Sequence, residues 1–173
     1  YGRDQTLWGG ETYFGRPGRW KRVASFRPFR LPGGDQVTRQ PWRTALSLSW
    51  HSGFEWRDAP DVDPLLKSAW NKGMASPFSS AVGRLFDGAA ALAGVALDAS
   101  YEGHGPTRLE ALAAGGSDPG APDLALLVED DGFLRADWAS LMEWMANDRI
   151  PVADRAAGFH AALARFIRFQ TRP

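Results

Sequence analysis

The chain has 173 residues, 20 Lys plus Arg balanced by 20 Asp plus Glu, and no cysteine. That length is one domain or a large piece of one. The missing Cys excludes a disulfide framework, a Cys-based zinc site and a Cys nucleophile within the chain, and no apolar run approaches the roughly 18 to 20 residues that span a bilayer. The start, Tyr1-Gly2-Arg3-Asp4, is neither apolar nor led by Met, so no secretory leader is read there and the chain reads as a segment. The zero net charge hides a split. Residues 1–43 carry nine basic and three acidic side chains, net +6, and the remainder carries 11 basic and 17 acidic, net −6. Mutual attraction or plain solvation accounts for such clusters; the sharper reading is a basic surface that receives an anion or an acidic partner.

In chain order, Thr6 to Phe14 and Trp20 to Phe26 read as two antiparallel strands around the turn signal Gly15-Arg16-Pro17-Gly18. Gly9-Gly10 inside the first of them marks a bulge or a close approach of another group. Arg27 to Asp35 is an extended loop, since Pro28 and Pro32 disfavour helix in the residues before them. A helix starting near Asp35 or Pro41 aligns Trp42, Leu46 and Trp50. A second is capped by Asp61 or Asp63, opens with Pro64 and stops at Gly73. Ser79 or Ser80 caps a third, running to about Gly94 with Leu85, Ala89 and Leu92 on one face. Pro106 opens a short helix to Ala114, and Gly115 to Pro122 is a flexible break. Leu124 to Val128 and Phe133-Leu134 form a small hairpin around Asp130-Asp131-Gly132. Two helices, roughly 137–147 and 151–169, close the chain, the last with Phe159, Leu163 and Phe166 on one stripe. The pattern is one α/β unit: a hairpin and extended loop over 1–34, then a mainly helical 35–173. Most of the eight Trp belong to a core or an interface.

General chemistry does not by itself declare an enzyme. His51, His104 and His160 show no helical metal spacing, and no nucleophile elbow or Walker loop is present. His160, between apolar residues of a strong helix, reads as a hydrogen-bonded structural histidine.

Three stretches carry more. The first is Tyr1-Gly2-Arg3-Asp4-Gln5-Thr6-Leu7-Trp8-Gly9-Gly10-Glu11, continuing to Arg27-Pro28-Phe29-Arg30-Leu31-Pro32-Gly33-Gly34-Asp35. The second is Ser79-Ser80-Ala81-Val82-Gly83-Arg84-Leu85-Phe86-Asp87, continuing to Ser100-Tyr101-Glu102-Gly103-His104-Gly105-Pro106. The third is Asp154-Arg155-Ala156-Ala157-Gly158-Phe159-His160. Together they resemble the C-terminal region of the HypF carbamoyltransferase family of nickel–iron hydrogenase maturation, over nearly the whole chain. Two departures stand out: many members of the family have Glu-Gly-Gln-Ala-Ala-Met at Glu102 to Thr107, and Gly158 replaces the usual Arg before Phe-His.

The resemblance implies part of a TsaD-like domain of the actin-like, ribonuclease-H-like class. It implies a cytoplasmic enzyme that moves a carbamoyl group from ATP-derived carbamoyladenylate to the C-terminal cysteine of a HypE-type acceptor protein, with neither nucleic acid nor membrane as partner. It places nucleotide contacts at Asp87, which would receive ribose hydroxyls, and at Gly83, Gly103 and Gly105, with Arg27 and Arg30 as further candidates for contact with phosphate or a partner. It also implies a metal ion, iron or zinc, on His residues outside this segment, so that the segment alone does not catalyse. An O-carbamoyltransferase acting on a small molecule and a non-catalytic docking module are the competing readings.

Overall fold

The computed structural model describes residues 1–118 and 120–170, so Pro119 within the expected Gly115 to Pro122 break and the last three residues lie outside the described part. Strand β1, Glu11–Arg16, and strand β2, Arg19–Phe26, form the expected antiparallel hairpin around Pro17-Gly18. Gly9 and Gly10 precede the strand instead of lying in it, and the irregularity in register falls between Thr12 and Tyr13. The close approach expected at these glycines is present. A Cβ on Gly10 would sit 2.5 Å from the Ser80 carbonyl oxygen, and one on Gly9 would sit 2.8 Å from Ala81 Cβ.

The extended loop holds a short strand β3, Phe29–Arg30, paired antiparallel with β4, Phe78–Ser79. A 3-10 turn, Gly34–Thr38, then leads into helix α1, Pro41–Ser52. Helix α2, Pro64–Asn71, is capped by the Asp63 carboxylate, which accepts from Leu65 N–H at 2.9 Å. Helix α3, Val82–Leu92, departs from the expected cap, because its N-cap is Ala81 and no side chain closes it. Ser79 belongs to β4, and the Ser80 hydroxyl bonds to Glu11 instead.

Helix α4, His104–Ala113, begins two residues before Pro106, on Gly103 in the left-handed conformation at φ +81°. Strands β5, Ala125–Val128, and β6, Leu134–Asp137, form the second hairpin, followed by α5, Ala139–Met145, and α6, Val152–Gln170. Its joining to the first hairpin is the feature that local patterns did not show. β6 lies parallel to β2, with Ala24 opposite Leu134, giving one four-stranded sheet in the order β1-β2-β6-β5. Parallel pairing has no tight turn to announce it.

The core sits around α3, which packs against α1, α4 and α5. Leu85, Ala89 and Leu92 are buried as their spacing predicts, but Gly88, Ala90 and Ala91 are buried too, so the second half of α3 is enclosed on more than one stripe. Small residues permit this: a Cβ on Gly88 would lie 2.5 Å from Leu48 Cδ1. Phe159, Leu163 and Phe166 carry α6 into the same core. Gly158 is equally constrained, since a Cβ there would lie 2.4 Å from the Trp144 ring. An Arg at this position would need Trp144 to move. Of the tryptophans, Trp56 and Trp138 are buried and Trp20 is exposed.

Candidate functional site

Asp87 falls in the middle of α3, where a charged side chain is out of keeping with the apolar surroundings. It is 5% exposed. Burying an ionised carboxylate is unfavourable unless partners compensate. Here the compensation is partial. Arg84 stands one turn earlier on the same helix face, with Nη1 2.9 Å from Asp87 Oδ2. The pair is close but not aligned as a hydrogen bond, and Oδ2 accepts no hydrogen bond from the protein. Burial raises the Asp87 pKa from 3.8 to about 6, Arg84 opposes the rise, and Glu102 adds to it by like charge.

Asp87 opens onto a cavity of about 560 Å³ lined by Thr38, Arg39, Arg84 and the segment from Ala99 to Gly103. That volume is in the range of small-molecule sites. Three parts of the chain form it: the end of the 3-10 turn, the first turns of α3, and the loop into α4. A backbone bond from Ala99 N–H to the Arg39 carbonyl, 2.9 Å, ties two of them together. Among the described residues, a second hollow of about 480 Å³ lies beside Leu124, Leu126, Phe166 and Phe169. Its Arg165 is engaged by Asp118 and Asp123 at 2.6 and 2.5 Å, which leaves it little to offer a ligand.

The other sequence candidates divide clearly. Gly103 lines the Asp87 cavity. Gly105 is not a loop residue; it is buried in the first turn of α4, where a Cβ would lie 2.9 Å from Ala90 Cβ and 3.9 Å from Asp87 Oδ1. Its role is to let α4 approach α3 directly behind the carboxylate. Gly83 is exposed, a Cβ there would meet nothing within 4 Å, and it does not line the cavity.

Arg27 and Arg30 do not line the cavity either. Arg27 donates to both oxygens of Asp137, at 3.0 and 3.2 Å, and lies over the Trp138 ring. Arg30 donates to the Ser76 carbonyl at 3.2 Å and lies over Phe78. Both are occupied in holding the β3 region to its neighbours. The Arg27–Asp137 pair is one instance of the basic and acidic parts of the chain attracting one another.

Two of the histidines serve structure. His160 Nδ1 lies 2.8 Å from the Ala156 carbonyl oxygen, one helical turn back, as its setting predicts. His51 Nε2 accepts from the Arg30 backbone N–H at 3.1 Å, and the ring packs edge-on to Trp70. Burial first, then the nearby charges of Arg27 and Arg30, lower its pKa to about 4. Among the described residues no group of three or more His, Cys, Asp or Glu side chains could hold a metal ion. No helix among them is long and apolar enough to cross a membrane.

Arg84, Arg39, Tyr101 and Glu102 are the site residues that sequence reasoning left unassigned. Arg84 was findable, since a residue three positions before a helical carboxylate shares its face. Arg39 carried no local signal, because its place depends on a contact between separate loops.

The comparisons with known proteins agree with this architecture. The chain matches the family model for the second subdomain of the carbamoyltransferase Kae1-like domain over residues 1–172. It is 36% identical to carbamoyltransferase HypF of Rhizobium leguminosarum bv. viciae over 176 residues, covering 94% of this chain and 22% of that protein. It is 37% identical to carbamoyltransferase HypF of Rhodobacter capsulatus over 180 residues, covering 99% of this chain and 23% of that protein. Two solved structures share the fold. One is full-length HypF in a phosphate- and nucleotide-bound form, with TM-score 0.77, 22% identity, and coverage of 99% of this chain and 24% of that one. The other is T. kodakarensis HypF, with TM-score 0.78, 25% identity, and coverage of 98% and 24%.

The fold and the family model together define a Kae1-like α/β domain segment of TsaD type. The chain belongs to the HypF carbamoyltransferase family and spans under a quarter of the length of these two curated relatives.

Proposed function

We propose that this chain forms one wall of the nucleotide site in a cytoplasmic carbamoyltransferase of hydrogenase maturation. The protein would transfer a carbamoyl group from carbamoyladenylate to the C-terminal cysteine thiolate of a HypE-type acceptor. The observation that carries the reading is Asp87, a buried carboxylate that faces a nucleotide-sized cavity and keeps one oxygen free of hydrogen bonds. Two vicinal ribose hydroxyls are suitable partners, because an ionised carboxylate offers two acceptor oxygens and no donor. Arg84 keeps the carboxylate in the ionised form that this contact needs, against burial and Glu102. Gly103, at the start of α4, lets the backbone approach the bound sugar.

In the transfer itself, the acceptor thiolate attacks the carbamoyl carbon, the bond from that carbon to the phosphate oxygen breaks, and AMP leaves. The contribution of this chain is positional: it fixes the adenylate so that the acyl carbon meets the thiolate in one orientation. The test is Asp87→Ala in the full-length protein. Charge-assisted hydrogen bonds of roughly 1.5–3 kcal/mol are removed, so nucleotide affinity should fall about ten- to a hundredfold, with a matching loss of transfer. Unchanged affinity and transfer rate, in a variant that still melts cooperatively, would sink the ribose assignment. Transfer to a small-molecule alcohol and not to a protein thiol would leave the site intact but change the acceptor.

A further inference from the structure

The Asp87 cavity contains two arginines in different situations. Arg84 is half-buried and committed to Asp87. Arg39 is exposed at the rim, and its guanidinium makes no hydrogen bond, ion pair or ring contact with another described residue. Only its backbone is engaged: its N–H donates to the Gln36 carbonyl and its carbonyl accepts from Ala99 N–H. The carbonyl of Arg39 is therefore anchored to the opposite wall while its side chain is left available. The acidic lining residues, Asp87 and Glu102, lie at the α3–α4 side, and Arg39 comes from the 3-10 turn. One cavity thus presents an acceptor for hydroxyls on one side and an uncommitted, planar, multidentate cation on another. That is the division of charge a nucleotide requires, with a neutral polyhydroxy sugar at one end and an anionic phosphate at the other.

We infer that Arg39 is a specificity-determining residue that receives the phosphate of the nucleotide and so distinguishes a nucleotide from a nucleoside. This rests on the nucleotide reading of the cavity and adds a second residue to it with a separable task. Asp87 reads the sugar, which adenosine and AMP share. Arg39 reads the phosphate, which only AMP carries. The side chain's situation also explains why a substitution at Arg39 should leave the fold alone: no hydrogen bond, ion pair or ring contact of the guanidinium with a described residue is lost.

The experiment is a calorimetric comparison of adenosine and AMP binding to the full-length protein and to its Arg39→Gln, Arg39→Lys and Asp87→Ala variants. The binding removed by Asp87→Ala identifies the signal that belongs to this cavity. Arg39→Gln should weaken AMP about tenfold while leaving adenosine unchanged, and Arg39→Lys should recover part of the preference. The AMP preference should also shrink with added salt, since a rim-exposed charge is screened. If Arg39→Gln weakens adenosine and AMP equally, or neither, the phosphate role is wrong. If Asp87→Ala leaves both ligands unaffected, the nucleotide reading itself fails, and that outcome is separate from any result at Arg39.

Discussion

His51 and Asp87 are both titratable side chains drawn into a largely apolar interior, and the contrast between them separates a group satisfied within the fold from the candidate site residue. His51 has its Nε2 satisfied by the Arg30 backbone N–H and its ring set among Trp70, Phe78 and Trp138. Asp87 is more deeply buried yet less well satisfied, with an ion pair that is not aligned as a hydrogen bond, a buried Oδ2 that accepts none, and a place in the wall of a cavity. Burial alone therefore does not mark a site. The unmet hydrogen-bonding capacity beside open volume does.

The strongest way to break this contrast is to exchange the consequences. Asp87→Ala should cost nucleotide affinity about ten- to a hundredfold, on the scale of a charge-assisted hydrogen bond, whereas His51→Leu should leave affinity unchanged in titrations of the folded protein. A His51 variant with impaired nucleotide binding and an intact melting transition would show that the two regions are coupled. The next effect is on stability. His51→Leu removes the acceptor of a partly buried backbone N–H and should lower unfolding free energy by about 1–3 kcal/mol in urea titrations.

The pH dependence sharpens the contrast further. With Asp87 near 6, nucleotide affinity should rise as pH increases through about 6 and level off above it, because only the ionised carboxylate accepts from both hydroxyls. A flat profile between pH 5 and 7.5 would contradict the assignment. The smallest and most diagnostic signature lies in the ligand-free fold, where the two groups have opposite signs. The lowered His51 pKa means that the unfolded chain binds more protons between about 4 and 6.5, so its contribution to stability is lost as pH falls through that window. The raised Asp87 pKa means that the folded chain binds more protons between 3.8 and about 6, so its contribution falls as pH rises. Asp87→Asn should therefore steepen the rise of stability with pH, and His51→Leu should flatten or reverse it. Identical profiles for the two variants would remove the physical basis of the distinction.

Much of this was legible in the residues. Helices α3 and α6 follow from the spacing of their apolar residues, and α2 follows from its cap, since Asp63 caps where a carboxylate before Pro64 should. Asp87 and Gly103 were singled out only through the family resemblance of the Gly-Arg-Leu-Phe-Asp and Tyr-Glu-Gly-His-Gly-Pro stretches, and the fold sets both in the wall of one cavity. What was not legible is long-range. Ser79 and Ser80 look like caps but are drawn to β3 and to Glu11, partners distant in sequence. Arg27 and Arg30 look like free cations in a basic tract, and their carboxylate, carbonyl and aromatic partners are recruited from beyond it. Gly105 looks like a loop glycine because Pro106 follows it, yet the helix has already begun. In each case a local preference was overridden by a tertiary contact of greater consequence.

The parallel register of β2 and β6 carries an implication for how the chain is made. Ser25 and Arg135, paired across these strands, are 110 residues apart. A ribosome delivers the first hairpin long before the strand that will lie beside it exists. Until β6 arrives, Ala24 to Phe26 present an unpaired apolar edge, the kind of surface on which nascent chains misassociate. Helices α1 to α4, all encoded between the two strands, can consolidate from local contacts in the meantime, and closure of the sheet is then the late, slow event of folding.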